Sequence, residues 1–354
     1  MASHKGWIKG VVLYSVGFGL LAFLIWKNWA PNPETKSPGL QGLLQQKPDW
    51  LAVAGVIVLC ALSVGIQFFR WYVLVRAADL TFTSRNAFRL GLVGYFYSQF
   101  LPGSIAGDVI KAIFIAKDQP GRKAVAVATV LIDRFFGLFG FLLLSALVGG
   151  GLWLSGDSRI GDNAFLKKVI LFALATVGCA LAGWVFMGIL SDHLANRIAA
   201  KLHRLPVVGK SFAEIWFAIR LYRQRPKAVL ICILISAISH FFMVMTFHVS
   251  VRVFPTLAAD SASLTEHFII CPIGFISQVF FPAPGGVGGA EAIFGYLYGA
   301  IGRDDSTGLI GRLTFRMGEY AIGFLGYLVF LSMKKELPAP EESAPKTHIS
   351  SDNK

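Results

Sequence analysis

Residues 94–108 run Gly94-Tyr-Phe-Tyr-Ser-Gln-Phe-Leu-Pro-Gly-Ser-Ile-Ala-Gly-Asp108, and residues 281–291 run Phe281-Pro-Ala-Pro-Gly-Gly-Val-Gly-Gly-Ala-Glu291. Each interrupts a long apolar stretch with the pattern Pro-Gly-x-(Ile/Val)-small-Gly. The first break is carried by Pro102, Gly103 and Gly107, the second by Pro284, Gly285, Gly286, Gly288 and Gly289, and Pro102 and Pro284 stand 182 residues apart. Proline removes a helix donor and glycine admits backbone angles that other residues avoid, so each cluster ends a helix and starts another. In a membrane protein, paired broken helices in related halves point to a transport site near the bilayer midplane.

The rest of the chain makes the membrane its solvent. Of 354 residues, 55% are hydrophobic and 15% charged, and the mean hydropathy is +0.61. A soluble domain carries about a quarter charged residues. Apolar runs near the ~20 residues that cross a bilayer fall at about 7–26, 51–75, 124–151, 169–190, 228–253 and 308–333. The broken stretches cover about 90–116 and 267–299. Trp26 and Trp29 give the first run an interfacial belt, and it lacks a small-x-small cleavage site, so it is expected to be a retained helix. The net charge of +13 fits the positive-inside rule and anionic headgroups, with no nucleic acid as partner. Cys60, Cys179, Cys232 and Cys271 lie in apolar stretches without metal-ligand spacing and are expected to be packing residues.

Each arm of a broken stretch is too short to cross a ~30 Å core alone, so each stretch is a kinked span or a re-entrant hairpin. Loop charge favours hairpins. Residues 191–227 hold Arg197, Lys201, Arg204, Lys210, Arg220, Arg223, Arg225 and Lys227 against Asp192 and Glu214, which places this loop inside. Two hairpins then put 20 of the 33 Lys and Arg residues on inside segments and 7 on outside ones. The expected fold is an all-α polytopic membrane protein of about six transmembrane helices plus two re-entrant hairpins. The units at about 51–151 and 228–333 become inverted copies, an architecture common in secondary transporters. Arg70 with Arg252, Leu131 with Leu313, and Arg134 with Arg316 repeat at the same 182-residue offset.

Two segments are peripheral. Phe212, Ile215, Trp216, Ile219 and Tyr222 recur at helical spacing within 210–223, which suits an interfacial amphipathic helix or an ordinary loop helix packed on the bundle. The membrane domain is expected over 1–333, and the Pro-, Ser- and charge-rich segment 334–354 is expected to be a disordered cytoplasmic tail.

Charges at membrane depth mark functional candidates. Arg134 and Arg316 sit about ten residues into their helices, with Arg312 one turn before Arg316, Glu319 on the same face, and Asp133 beside Arg134. Arginine suits phosphate because its planar fork binds oxygens bidentately. The structural alternative pairs Arg316 with Glu319 and Arg134 with Asp108 or Glu291. Asp108 and Glu291 stand at the N-terminal ends of the second half-helices, where a carboxylate is favoured by the helix dipole and Asp108 could act as a cap. Lys111 either joins the cluster or snorkels to the interface. His240 and His248 are expected to be packing residues rather than a proton relay. No nucleophile, P-loop, dinucleotide or metal signature occurs, so neither enzymatic activity nor a cofactor or metal is expected.

The stretches 94–108 and 281–291, together with Leu131-Ile-Asp-Arg134, resemble the lysylphosphatidylglycerol synthase transmembrane family, a group of flippase-like membrane proteins. The resemblance covers about 7–333 and implies a bacterial or archaeal inner-membrane protein, and the loop charge makes it multi-pass with both termini expected in the cytoplasm. It carries over to Asp108, Arg134, Pro284, Gly285, Gly286 and Glu291. It does not extend to the family's soluble aminoacyl-transferase domain, because the sequence ends at Lys354, so synthase activity is not expected. The expected function is translocation of an anionic phospholipid or polyprenyl-phosphate-linked lipid through a central polar cavity. The alternative is a membrane-embedded, lipid-binding accessory subunit of an envelope glycan or lipid-synthesis enzyme, with that enzyme as partner.

Overall fold

The computed structural model describes residues 4–31, 39–103, 105–203, 209, 213, 216 and 220–334. The proposed tail beyond Lys334, which itself ends the last helix, and most of the proposed amphipathic helix at 210–223 lie outside these residues. The main helices are α1 (His4–Lys27), α2 (Trp50–Ala77), α3 (Ser84–Phe100), α4 (Ala106–Asp118), α5 (Lys123–Leu154), α6 (Ala164–Ile189), α7 (Asp192–His203), α8 (Pro226–Ser250), α9 (Leu264–Ser277), α10 (Gly289–Ala300) and α11 (Asp305–Lys334). No strand occurs among the described residues.

By length and composition, α2, α5, α6 and α8 are long and apolar enough to cross a membrane. Helix α11 is as long as these at 30 residues, but Arg312, Arg316 and Glu319 lower its hydropathy. Residue contacts fix its direction, and with it the topology of the bundle.

Helices α2 and α8 pack antiparallel along their lengths. Ser63 and Ser239 exchange hydrogen bonds, each hydroxyl donating 3.0 Å to the other's backbone carbonyl, so two small residues bring the backbones close. At one end of the pair, Tyr222 Oη donates to the Leu74 carbonyl (2.8 Å) and Arg225 pairs with Asp79 (2.6 Å). At the other end, the Asp49 N–H donates to the Val253 carbonyl (2.8 Å).

Helices α3 and α4 form a hairpin whose feet share the first of these ends. Arg122 donates to the carbonyls of Ala78 and Asp79 (2.9 and 2.8 Å), and Gln119 Nε2 donates to the carbonyl of Thr81 (2.6 Å). The chain thus leaves the hairpin where it entered. Arms of 17 and 13 residues reach about 26 and 20 Å, short of a bilayer core of about 30 Å. The arms touch at Gly94 and Gly107, where a Cβ on Gly107 would overlap the Gly94 carbonyl and Ser98 Oγ.

Helices α9 and α10 form the second hairpin, with its feet at the opposite end. Asp260 accepts from the Asp304 N–H (3.0 Å) and from Thr307 Oγ1 (2.9 Å), and Asn163 Nδ2 donates to the Ala300 carbonyl (3.3 Å). The capping box of Ser263 and Glu266 starts α9, and Gly288 with Glu291 starts α10. The tips meet inside the bundle, where the Gly103 N–H donates to the Pro282 carbonyl (2.9 Å). Both breaks are therefore re-entrant and enter from opposite ends.

The 182-residue offset survives as geometry. It carries the last residue of α4 onto the last of α10, and the first of α5 onto the first of α11. It carries the Ala78–Arg122 foot onto the Asp260–Asp304 foot. Gly103 and Gly285 correspond as well, both at positive φ (91° and 55°), where only glycine turns the chain without strain. The two units are inverted copies around the meeting tips. Helix α1 seals the second break: Gly17 lies against Ala283 and Val287, and Tyr14 Oη donates to the Phe100 carbonyl (2.5 Å) at the first.

Candidate functional site

A cavity of about 190 Å³ lies where the hairpin tips meet. Arg70, Trp71, Asp133, Arg134 and His240 line it from α2, α5 and α8, Gln99, Asp108 and Lys111 from the first hairpin, and Gln278, Gly285 and Glu319 from the second unit.

The first unit contributes a connected ionic cluster. Arg134 Nη2 pairs with Asp108 Oδ2 (2.7 Å), and Lys111 Nζ pairs with Asp108 Oδ1 (3.0 Å) and reaches Asp133 Oδ2 (3.9 Å). Arg70 Nε pairs with Asp133 Oδ1 (2.8 Å), and its Nη1 donates to Ser236 Oγ (2.9 Å). The Arg70 guanidinium lies beside Gly137, where a Cβ would meet it at van der Waals contact. Lys111 Nζ also sits 5.2 Å from the Trp71 ring centre, a cation–π contact that holds the ammonium inward. Lys111 thus joins the cluster rather than snorkelling. Asp108 is not a helix cap: Ile105 holds that position without a side-chain bond, and the Asp108 carboxylate is taken by two cations. Arg134 keeps 37% of its side chain exposed, which makes it the open edge of the cluster.

The second unit carries the matching charges in a closed arrangement. Arg316 Nε pairs with Glu291 Oε1 (2.6 Å), its Nη1 donates to the Gly285 carbonyl (3.0 Å), and Glu291 Oε2 accepts from the Gly288 N–H (2.8 Å). Arg312 Nη2 pairs with Glu319 Oε2 (2.9 Å) and donates to Gln278 Oε1 (3.1 Å). The alternative pairing of Arg316 with Glu319 is thus corrected. The break offers Arg316 a carboxylate and a bare carbonyl together, and Glu319, two turns beyond Arg312, takes that residue instead. Arg312 Nε and Nη1 and Arg316 Nη2 are buried and make no hydrogen bond to protein.

Sequence reasoning singled out Asp108, Lys111, Arg134, Glu291, Arg312, Arg316 and Glu319, and all seven lie around the tips. Arg70, Asp133, Gln99, Gln278 and His240 were not proposed as site residues. Arg70 stood out only through its repeat partner Arg252, and its salt bridge spans 63 residues. His248 lies elsewhere, its Nδ1 2.8 Å from His267 Nδ1, while His267 Nε2 meets Tyr298 Oη (2.6 Å).

Beyond α5, an apolar groove of about 710 Å³ runs between α5, α6 and α8, lined by Leu131, Phe135, Phe139, Trp184, Leu230 and Ile233 among others. Leu131 and Phe135 bracket Arg134 in sequence, so charge and groove share one stretch of helix.

Residues 11–326 match the family described as lysylphosphatidylglycerol synthase TM region. The chain belongs to this family. The chain is similar to a UPF0104 membrane protein of Methanothermobacter thermautotrophicus, 23% identical over 350 residues, which cover 90% of this chain and 96% of that one. The UPF0104 membrane protein MJ1595 of Methanocaldococcus jannaschii is 20% identical over 309 residues, covering 83% and 88%. No solved structure matches. The lysylphosphatidylglycerol synthase TM region match therefore takes in both hairpins, every cavity-lining residue and the residues of both clusters.

Proposed function

We propose that the protein is a lipid translocase, a carrier rather than an enzyme, whose cavity receives the phosphate of an anionic lipid headgroup. The observation that carries this reading is the charge balance at the meeting tips. Arg70, Lys111, Arg134, Arg312 and Arg316 face Asp108, Asp133, Glu291 and Glu319, which leaves one net positive charge at the cavity, with Arg134 at its open edge. A positive charge without its own counter-ion at membrane depth is costly, and a phosphate relieves it.

The steps follow from the geometry. The headgroup enters at Arg134, whose guanidinium fork exchanges part of its Asp108 contact for phosphate oxygens. Lys111 keeps Asp108 occupied while this happens, so no carboxylate is stranded. Hydrocarbon chains stay in the apolar groove beside Leu131 and Phe135, outside the polar path. Rocking of one inverted unit against the other then exposes the headgroup to the second leaflet. In that state Arg316 takes the part of Arg134, its contact with Glu291 opening as the Arg134–Asp108 contact closes. The described start of α1 and end of α11 lie with the first hairpin's feet, which supports reading this end as the cytoplasmic face of the cell inner (plasma) membrane.

A second reading is a lipid-holding accessory subunit of an envelope-synthesis enzyme. It is favoured by the asymmetry of the two clusters, because only the first carries a half-exposed arginine. The test of either is mass spectrometry of lipid retained through mild detergent purification. An anionic lipid is expected on the wild-type protein and is lost from Arg134→Ala. A wild-type protein that retains none, or Arg134→Ala retaining as much, overturns the phosphate site.

A further inference from the structure

The two breaks are related by the repeat, yet they are not covered alike. The 182-residue offset carries Leu101 onto Ala283 and Ile105 onto Val287. Leu101 and Ile105 are 38% and 57% exposed, whereas Ala283 and Val287 are 3% and 1% exposed. The cover is α1, which belongs to neither unit and lies on α10 and the second break. Two glycines make the seam: a Cβ on Gly17 would overlap that of Ala283, and a Cβ on Gly288 would overlap the Gly17 carbonyl oxygen. The seam is narrow, because Gly17 is the one buried residue among residues 11–27. Tyr14 adds its hydrogen bond to the Phe100 carbonyl at the first tip. The other end of α1 is anchored. Leu24 packs with Leu43, Leu257, Leu309 and Ile310, and the Leu40 and Gln41 N–H groups donate to the carbonyls of Asn28 and Trp29 (2.9 and 3.0 Å). Lipid supplies no hydrophobic force that presses one helix on another, so the seam holds by close packing alone.

We propose that α1 is a hinged lid over the second half-site. The region of Leu24 is the hinge, and the stretch from Tyr14 to Gly17 lifts off the break. What the lid admits rests on the carrier reading above; the lid itself rests on the unequal cover of the two breaks. Lifting it strands little backbone. The Gly286 and Val287 N–H groups donate within the break, to the carbonyls of Ala283 and Pro284 (2.9 and 3.1 Å), and the Gly288 N–H donates to Glu291 Oε2 (2.8 Å). These three donors keep their partners when α1 leaves, as irregular backbone at membrane depth requires. Glu291 lies three residues beyond Gly288 in the first turn of α10, so freeing that backbone frees the carboxylate that holds Arg316. The lid accounts for an open Arg134 and a closed Arg316 at equivalent positions. The first half-site has no such cover, and the second opens when α1 swings away.

The test uses the full-length protein in two arms. The first follows hydrogen exchange of residues 283–291 by mass spectrometry in detergent, for the wild-type protein, Gly17→Leu and Gly19→Leu. A leucine at 17 has no room against Ala283 and pushes the lid off, whereas one at 19 faces open space. Gly17→Leu is expected to speed exchange in this segment about tenfold, with the thermal midpoint and the exchange of residues 101–105 unchanged. Gly19→Leu is expected to match the wild-type protein. Unchanged exchange in Gly17→Leu, or faster exchange spread through α10 and α11 with a lower thermal midpoint, makes α1 a fixed staple and overturns the lid. In the second arm, p-benzoylphenylalanine replaces Tyr14, and light ties α1 to the first tip. Movement of labelled phosphatidylglycerol in proteoliposomes is expected before irradiation and is expected to stop after it. Movement that survives complete crosslinking overturns the lid. No movement before irradiation leaves the lid to the exchange arm and, where the wild-type protein is also still, counts against the carrier reading.

Discussion

Arg134 and Arg316 sit at equivalent points of matching helices, yet Arg134 keeps 37% of its side chain exposed and Arg316 only 4%. The difference sets opposite expectations for truncation. Arg316→Ala strands Glu291 in a fully buried site and should cost about 3–5 kcal/mol. Arg134→Ala leaves Asp108 paired with Lys111, so its thermal midpoint should fall much less. Thermal unfolding of the two variants in detergent separates them, and equal midpoints would contradict the assignment. Replacing both partners, Glu291→Leu with Arg316→Met, should recover most of the stability lost in Arg316→Ala, because no charge is then left unpaired. At this scale the sequence disclosed which charges lie at membrane depth. Of their partners it offered Asp108 for Arg134, which the structure pairs at 2.7 Å, but not the others. Local spacing suggested Arg316 with Glu319, but the partner is Glu291 on the preceding helix α10, 25 residues earlier. The Arg70–Asp133 bridge depends on how α2 and α5 are placed, which no local pattern encodes.

The hairpins depend on two close approaches and on where their feet lie. A side chain at Gly107 would overlap the Gly94 carbonyl, so Gly107→Val should split the first hairpin and lower folded yield in the membrane. Gly19→Ala, with nothing near its Cβ, should be tolerated. Thiol labelling in intact cells tests sidedness. In a background lacking native cysteines, Asp79→Cys and Gln119→Cys should be labelled from one face, and Asp260→Cys and Arg303→Cys from the other. Labelling that splits either pair would mean a full span instead of a hairpin. This scale was the most legible in the sequence. Proline and glycine end helices for steric reasons that act locally, loop charge is set by insertion, and the constant offset survives wherever a unit folds twice. The span limits moved by only a few residues, for instance 124–151 against Lys123–Leu154. The meeting of the tips, through Gly103 and Pro282, was expected only as two tips facing inward.

Over the whole molecule, inverted units, opposed hairpins and a single net positive charge converge on one cavity, and membership of the lysylphosphatidylglycerol synthase TM region family sets that arrangement in a membrane context. Carriage, as against holding, requires the Glu291–Arg316 pair to open in turn. On the proposed carrier reading both halves of the site contribute to movement, even though only the first is open in this structure. The direct measurement is movement of labelled phosphatidylglycerol between leaflets in proteoliposomes, comparing the wild-type protein with Arg134→Ala and Lys111→Ala. The account predicts protein-dependent movement that both substitutions slow at least about tenfold, as expected for losing a charge-assisted contact to phosphate. Movement at the wild-type rate in both variants, or none above protein-free vesicles for the wild-type protein, would contradict it.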